Sequence, residues 1–300
     1  MVRMGDPTIE DIVLARDVRQ MTALRPFLPA DYVSEAARFV LERPGTALIV
    51  TGFYIPRAGA PETDGPPGAA ALGEALGELG YDVKFVTDRF SRLVVEAVVE
   101  GRPVVEFPTT SHAESEAFAR RLLGAERPSL VMAIERAGLL GDGTYRNYMG
   151  VDFTDCNAKT DYLFTLAPAS VGIGDGGNEI GMGNLRAVIP CIVGLPQDPC
   201  VTTTDRLVVA ACSNWGAYGL IAALSVTTGR TLLPSVERGY EWVRRAVDAG
   251  AVEGLSAEAK DWVDGRPPQE DAECLRDLHA LVARHARATS RGSTEGRSMT

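Results

Sequence analysis

Residues 46–88 read TALIVTGFYIPRAGAPETDGPPGAAALGEALGELGYDVKFVTD. The run 46–53, entered from Pro44-Gly45, is apolar and β-branched, which predicts a buried strand. A loop rich in Pro and Gly follows it. From Pro67 to Gly80, Ala70, Leu72, Ala75, Leu76 and Leu79 fall at helical spacing, and Gly80 is placed to cap the helix. Residues 81–88 return to a strand. Strand, helix and strand in this order are the unit of a parallel sheet covered on both faces.

The alternation continues outward. Helices are predicted over 89–100 and 112–124, and strands over 102–107 and 129–135. The second half predicts a helix over 155–167, strand 170–173, a glycine loop, a helix near 179–187, and strand 205–212 running into helix 213–226. Helix 235–249, a linker at 264–270 and a last helix at 271–288 complete the reading. The expected fold is α/β, a mostly parallel sheet with helices on both faces in a Rossmann-like three-layer arrangement. It forms one catalytic domain over 1–288, or two closely packed lobes, followed by a disordered polar tail over 289–300.

Forty acidic and thirty basic residues give a net charge of −10, which disfavours nucleic acid and anionic membrane as partners. The expected partner is a small molecule; assembly into a homo-oligomer stays open. No run approaches the ~18 uncharged apolar residues of a membrane span. The start lacks a secretory pattern and carries Asp6, Glu10, Asp11 and Asp17, so a cytoplasmic enzyme is expected. Five cysteines, odd in number and without a CxxC pair, indicate neither a disulfide framework nor a zinc knuckle. His279 and His285 read as solvated helix residues; His112 follows a strand and a turn and is a minor site candidate.

In an open parallel sheet, ligands bind beyond the carboxyl ends of the strands. Four loops lie there. The most distinctive, 171–184, reads VGIGDGGNEIGMGN and matches G-x-G-x-x-G through Gly172, Gly174 and Gly177. Yet Asp175 lies inside that turn and Glu179 just after it, where a pyrophosphate would have to sit. Carboxylates beside bare backbone suit a cation, either the ammonium of an amino acid or an oxygen-bound divalent ion such as Mg2+, Mn2+ or Ca2+. The alternative is a tight turn whose glycines take positive φ and whose Asp and Asn cap amides.

The first loop offers Glu62 and Asp64, which either reach over the sheet edge or cap the following helix. The third, 133–152, offers Glu135 as metal ligand or base and Arg136 as a fork for a substrate carboxylate. An internal ion pair of Glu135 with Arg136 or Arg146 is the competing reading. Tyr145, Asn147 and Gly150 lie in the turn beyond. In the fourth loop Asn214 and Trp215 line a pocket, or serve as helix cap and core residue.

GIGDGGNEIGMGN, with ETDGPPGA before it, IERAG and DGTYRNYMG between, and SNWGAYGL after it, resembles the D-glutamate cyclase family over about residues 40–250. The chain departs at Ala137, where the family pattern has Pro, and at Asn147-Tyr148-Met149-Gly150, where it has an Asn-Met-Arg-Gly-like stretch. Arg136 or Arg146 would then supply the missing arginine. The resemblance implies a lyase that closes D-glutamate to 5-oxo-D-proline with loss of water. It implies Glu62, Asp64, Glu135, Asp175 and Glu179 as the acidic set for Mn2+ or Mg2+, with Glu135, Asp175 and Glu179 catalytic. Arg136, Tyr145, Asn147, Gly176, Gly177, Asn178 and Asn214 would contact substrate. Two other classes fit the same loops: a divalent-metal phosphohydrolase, and a non-catalytic nucleotide-binding module.

Overall fold

The structure, a computed structural model, describes residues 5–295. The chain opens with helices α1 (Ile9–Val13) and α2 (Tyr32–Leu41), then enters strand β1 (Thr46–Thr51). A small antiparallel hairpin, β2 (Tyr54–Ile55) and β3 (Ala60–Pro61), occupies the loop before helix α3 (Pro66–Glu78). There follow β4 (Asp82–Thr87), α4 (Arg92–Val99), β5 (Val104–Glu106), α5 (His112–Glu126) and β6 (Leu130–Ile134). The remainder supplies α6 (Asp161–Leu166), β7 (Ser170–Gly174), β8 (Arg206–Val209), α7 (Ser213–Thr228), α8 (Val236–Asp248) and α9 (Pro268–Glu295).

Six strands form one sheet in the order β5-β4-β1-β6-β7-β8, every neighbouring pair parallel. Strand order reverses between β1 and β6. This is the doubly wound order, in which the crevice at the reversal is where ligands collect. Alternation along β1 sends Ala47 and Ile49 to one face with Leu72, Trp215 and Leu220, and Leu48 and Val50 to the other with Leu122 and Phe164. The three-layer α/β fold expected from the apolar runs is present.

Three local expectations change. No helix spans 179–187; two short 3-10 turns, Met182–Leu185 and Ile189–Cys191, take its place. Gly181 has φ +102°, outside the helical region, and Gly183 lies so close to the backbone of Thr202 that a Cβ would meet it at 2.6 Å. The helix over 155–167 shrinks to α6 behind one 3-10 turn, Thr154–Cys156. Helix α9 runs through Glu295, into the segment expected to be a loose tail, whose last residues, 296–300, lie outside the described residues. Among the described residues no helix is long and apolar enough to cross a membrane.

Candidate cation-binding active site

The strand reversal brings the loop after β1 against the loop after β6. The approach is close: a Cβ on Gly65 would lie 2.7 Å from Cβ of Glu135, so Gly65, at φ +97°, cannot carry a side chain without displacing it. Asp64 accepts hydrogen bonds from the backbone N–H groups of Ser213 (2.8 Å) and Asn214 (2.8 Å), the first two residues of α7. In return Asn214 Oδ1 accepts from the N–H groups of Gly65 (3.0 Å) and Gly68 (2.7 Å) at the start of α3. Each helix is thus capped by a side chain from the other's leading segment, satisfying donors that helix geometry leaves open. Both positive helix ends face the site, which favours carboxylates there.

Glu135 ends β6 in a left-handed backbone conformation, φ 44°, and its Oε2 accepts from Ser213 Oγ at 2.5 Å. Non-glycine residues hold such angles where the surroundings over-determine them, often at functional sites. After β7, Glu179 Oε2 accepts from the N–H of Gly177 at 2.8 Å. Asp175, fully buried, meets the guanidinium of Arg19 at 2.5 Å, and the other arm of Arg19 reaches Asp264 at 2.7 Å.

Glu62, Asp64, Glu135, Asp175, Glu179 and Asp264 are therefore six buried carboxylates gathered at one sheet rim. One oxygen from each of Asp64, Glu135 and Asp175 lies within 4.8 Å of the others; Asp64, Cys212 and Asp264 form an overlapping group of the same size. Burial first, then the neighbouring acids, holds the Glu62 and Glu135 carboxyls well above the usual carboxylate range. Asp175 is raised in the same way by burial, with Arg19 opposing. Asp64 is pushed up to about 6, burial and Asp264 outweighing the amide donors of Asn214 and Ser213. Burial also raises Glu179, against the backbone amides and Arg19. Of the six, Asp264 goes down: burial is opposed and outweighed by the charge of Arg19, a side-chain hydrogen bond with Asp175 and the charge of Arg266.

The donor set fits a hard divalent cation. It is all carboxylate apart from the Cys212 thiol, and two of its oxygens, Asp175 Oδ2 and Asp264 Oδ2, are buried with no hydrogen-bond partner among the described residues. Above these acids lies a cavity of about 270 Å3, lined by Arg19, Glu62, Glu135, Glu179 and, on its apolar side, Phe53 and Ile55. A second cavity of about 210 Å3, among α7, α8 and α9, touches none of the six acids. A pyrophosphate would meet a wall of acids, which disfavours the dinucleotide reading of the glycine loop.

Several expected substrate contacts are redirected. Arg136 is buried and fully engaged, pairing with Asp88 (2.6 Å) and donating to the carbonyls of Gly52 (2.8 Å) and Ala158 (2.8 Å). It cannot grip a substrate, and its partner is Asp88 rather than Glu135. Arg146 pairs with Asp142 and Asp198. Tyr145 is a core residue donating to Asp161 (2.6 Å), and Asn214 is engaged at the α3 start. Gly176 makes room for Glu179, whose Oε1 a Cβ there would meet at 2.5 Å, while Gly177, at φ +93°, faces Ile189 and Pro196 and gives its N–H to Glu179. Asn147 borders the cavity, with its Oδ1 accepting from the amides of Met149 and Val151. Asn178 also borders it, with a buried Oδ1 that has no partner among the described residues. His112 hydrogen-bonds Tyr162 and Gly143, away from the acids.

Sequence reading missed Arg19 and Asp264. Asp264 stands in the stretch DGRPP, read as a linker; the Asp-Gly pair ahead of a helix-starting Pro was the available signal. Nothing local marks Arg19.

A model of the family described as D-glutamate cyclase-like, C-terminal, matches residues 9–279. The human protein named D-glutamate cyclase, mitochondrial, is 32% identical over 251 residues, which cover 77% of this chain. The chain spans 39% of the length of that curated relative. Among solved structures, RecJ from Thermus thermophilus in complex with Mn2+ aligns over 91% of this chain and 39% of its own, with 16% identity and a TM-score of 0.35, a likeness too slight to carry inference. By the extent of the family match and by the human relative, the chain belongs to the D-glutamate cyclase-like, C-terminal family.

Proposed function

We propose that this chain closes D-glutamate, or a related small acidic amino acid, to 5-oxo-D-proline with release of water, assisted by a divalent metal. The observation that carries the reading is the convergence of acids from three strand-end loops, with bare buried oxygens, under one small cavity. Family membership supports the same chemistry. Asp64, Glu135 and Asp175 would hold Mn2+ or Mg2+; when bound, such an ion supplies Lewis acidity at a carboxyl oxygen and opposes developing negative charge.

The remaining work falls to the protein. Two hydrogens of the ammonium must leave with one carboxylate oxygen as water, so a group must take a proton from nitrogen and deliver it to oxygen. Glu62 fits that role better than Glu135, which is already held by the Ser213 hydroxyl. Glu62 lines the cavity, and burial among acids raises its proton affinity, so that once ionised it is a stronger base than an ordinary carboxylate. Asn178 Oδ1, at the cavity wall and bare among the described residues, accepts an N–H of the substrate and orients the amine for ring closure. Arg19 lines the cavity, as Arg136 does not, so its charge favours a substrate carboxylate there although both of its arms are held by Asp175 and Asp264.

The test is incubation with D- or L-glutamate and Mn2+, with chiral chromatography of the product. Formation of 5-oxo-D-proline from the D isomer, lost in EDTA, is expected. Phosphate release from phosphoesters without lactam formation would overturn the assignment in favour of a phosphohydrolase.

A further inference from the structure

We infer that Asp264 is a ligand of the same cation site, presented beside Asp175 by the guanidinium fork of Arg19. The inference rests on the metal-assisted reading above and names a ligand from a segment outside the four strand-end loops.

Arg19 bridges the two acids one oxygen each: one arm to Asp175 Oδ1 (2.5 Å), the other to Asp264 Oδ1 (2.7 Å). A planar fork that holds two carboxylates by one oxygen apiece sets them side by side and leaves the second oxygen of each uncommitted. Those second oxygens, Asp175 Oδ2 and Asp264 Oδ2, are both buried and both without a partner among the described residues. Asp175 and Asp264 also lie within side-chain hydrogen-bonding range of each other, so a proton shared between these oxygens satisfies them in the ion-free protein and a cation would take its place. Asp264 also lies within reach of Asp64, one oxygen of each belonging to the group that includes Cys212. The loop is held firmly: Asp264 has φ 51°, Gly265 N donates to Glu253 (2.7 Å), and Arg266 donates to the Asp264 carbonyl (3.1 Å). Arg19 is a positioning residue in this arrangement.

The probe is Mn2+ alone. In Mn2+-soaked wild-type crystals, an anomalous peak about 2 Å from Asp264 Oδ2 and Asp175 Oδ2 is expected. By titration calorimetry, Asp264→Asn should weaken Mn2+ at least about tenfold, while Asp248→Asn, an exposed acid on α8, binds as wild type. Arg19→Lys, which keeps charge but loses the fork, should alter the zero-field splitting of bound Mn2+ in its paramagnetic resonance spectrum; an unchanged spectrum removes the positioning role. A peak held by Asp64, Glu135 and Asp175, with Asp264 bound only to Arg19, overturns the inference and leaves the metal-assisted reading standing. No Mn2+ binding to wild type overturns both. The anomalous map decides even if Asp264→Asn does not fold.

Discussion

Individual side chains divide into those whose place in the fold the sequence declared and those whose place depends on a distant partner. Glu62, Asp64, Glu135, Asp175 and Glu179 were legible because a carboxylate at the end of a parallel strand has few places to go except the rim. Arg136 was not, because its partner Asp88 comes from the end of a different strand and pairing across a fold leaves no local mark. Arg136→Ala is therefore expected to act on stability, costing about 3–5 kcal/mol by leaving Asp88 buried and unpaired. Urea unfolding measures it; a wild-type midpoint with a raised KM would restore the substrate role. Glu62→Gln is expected to lower kcat by roughly 10²–10⁴-fold while Mn2+ affinity in calorimetry stays near wild type, the signature of a lost proton carrier rather than a lost ligand.

Among elements, strands and long helices were legible because their apolar periods are set by the two faces they must bury. The stretch 179–187 was misread as helix because its apolar residues mimic that period while its glycines serve close approach instead. Gly172 makes the point on the strand itself: a Cβ there would meet Ile180 O at 2.6 Å and Gly181 Cα at 2.8 Å. Gly172→Ala should cost about 1–3 kcal/mol by overpacking and push away the loop that carries Asp175 and Glu179. The expected result is an unchanged circular-dichroism spectrum with clearly weaker Mn2+ binding. Retained affinity would mean that the loop bends independently of its strand.

For the whole molecule, proton linkage ties the acid set to stability. Glu62, Asp64, Glu135, Asp175 and Glu179 all bind protons more tightly folded than unfolded. A raised carboxyl stabilises the folded state below its unfolded pKa and loses that contribution as pH climbs through the folded value. Groups shifted the other way, such as Asp264 and Glu253, are already ionised in both states above about pH 5 and add no slope there. The thermal midpoint in EDTA should thus fall as pH rises from about 5 to about 8, with the Asp64 step at about 6. Saturating Mn2+ should flatten the curve and add about 2.7 kcal/mol at a hundred times Kd. A midpoint that rises with pH in EDTA would mean that the acids are not strained as described.

The Arg19–Asp264 contact joins residues 245 positions apart. The fold is itself built from distant segments, β1 pairing with β6 and α7 packing on α1, α2 and α9, and this clasp draws in both ends of it. Loss of either end would therefore remove the clasp and core residues together, Ile9 and Val13 from one end and Leu275 and Leu278 from the other.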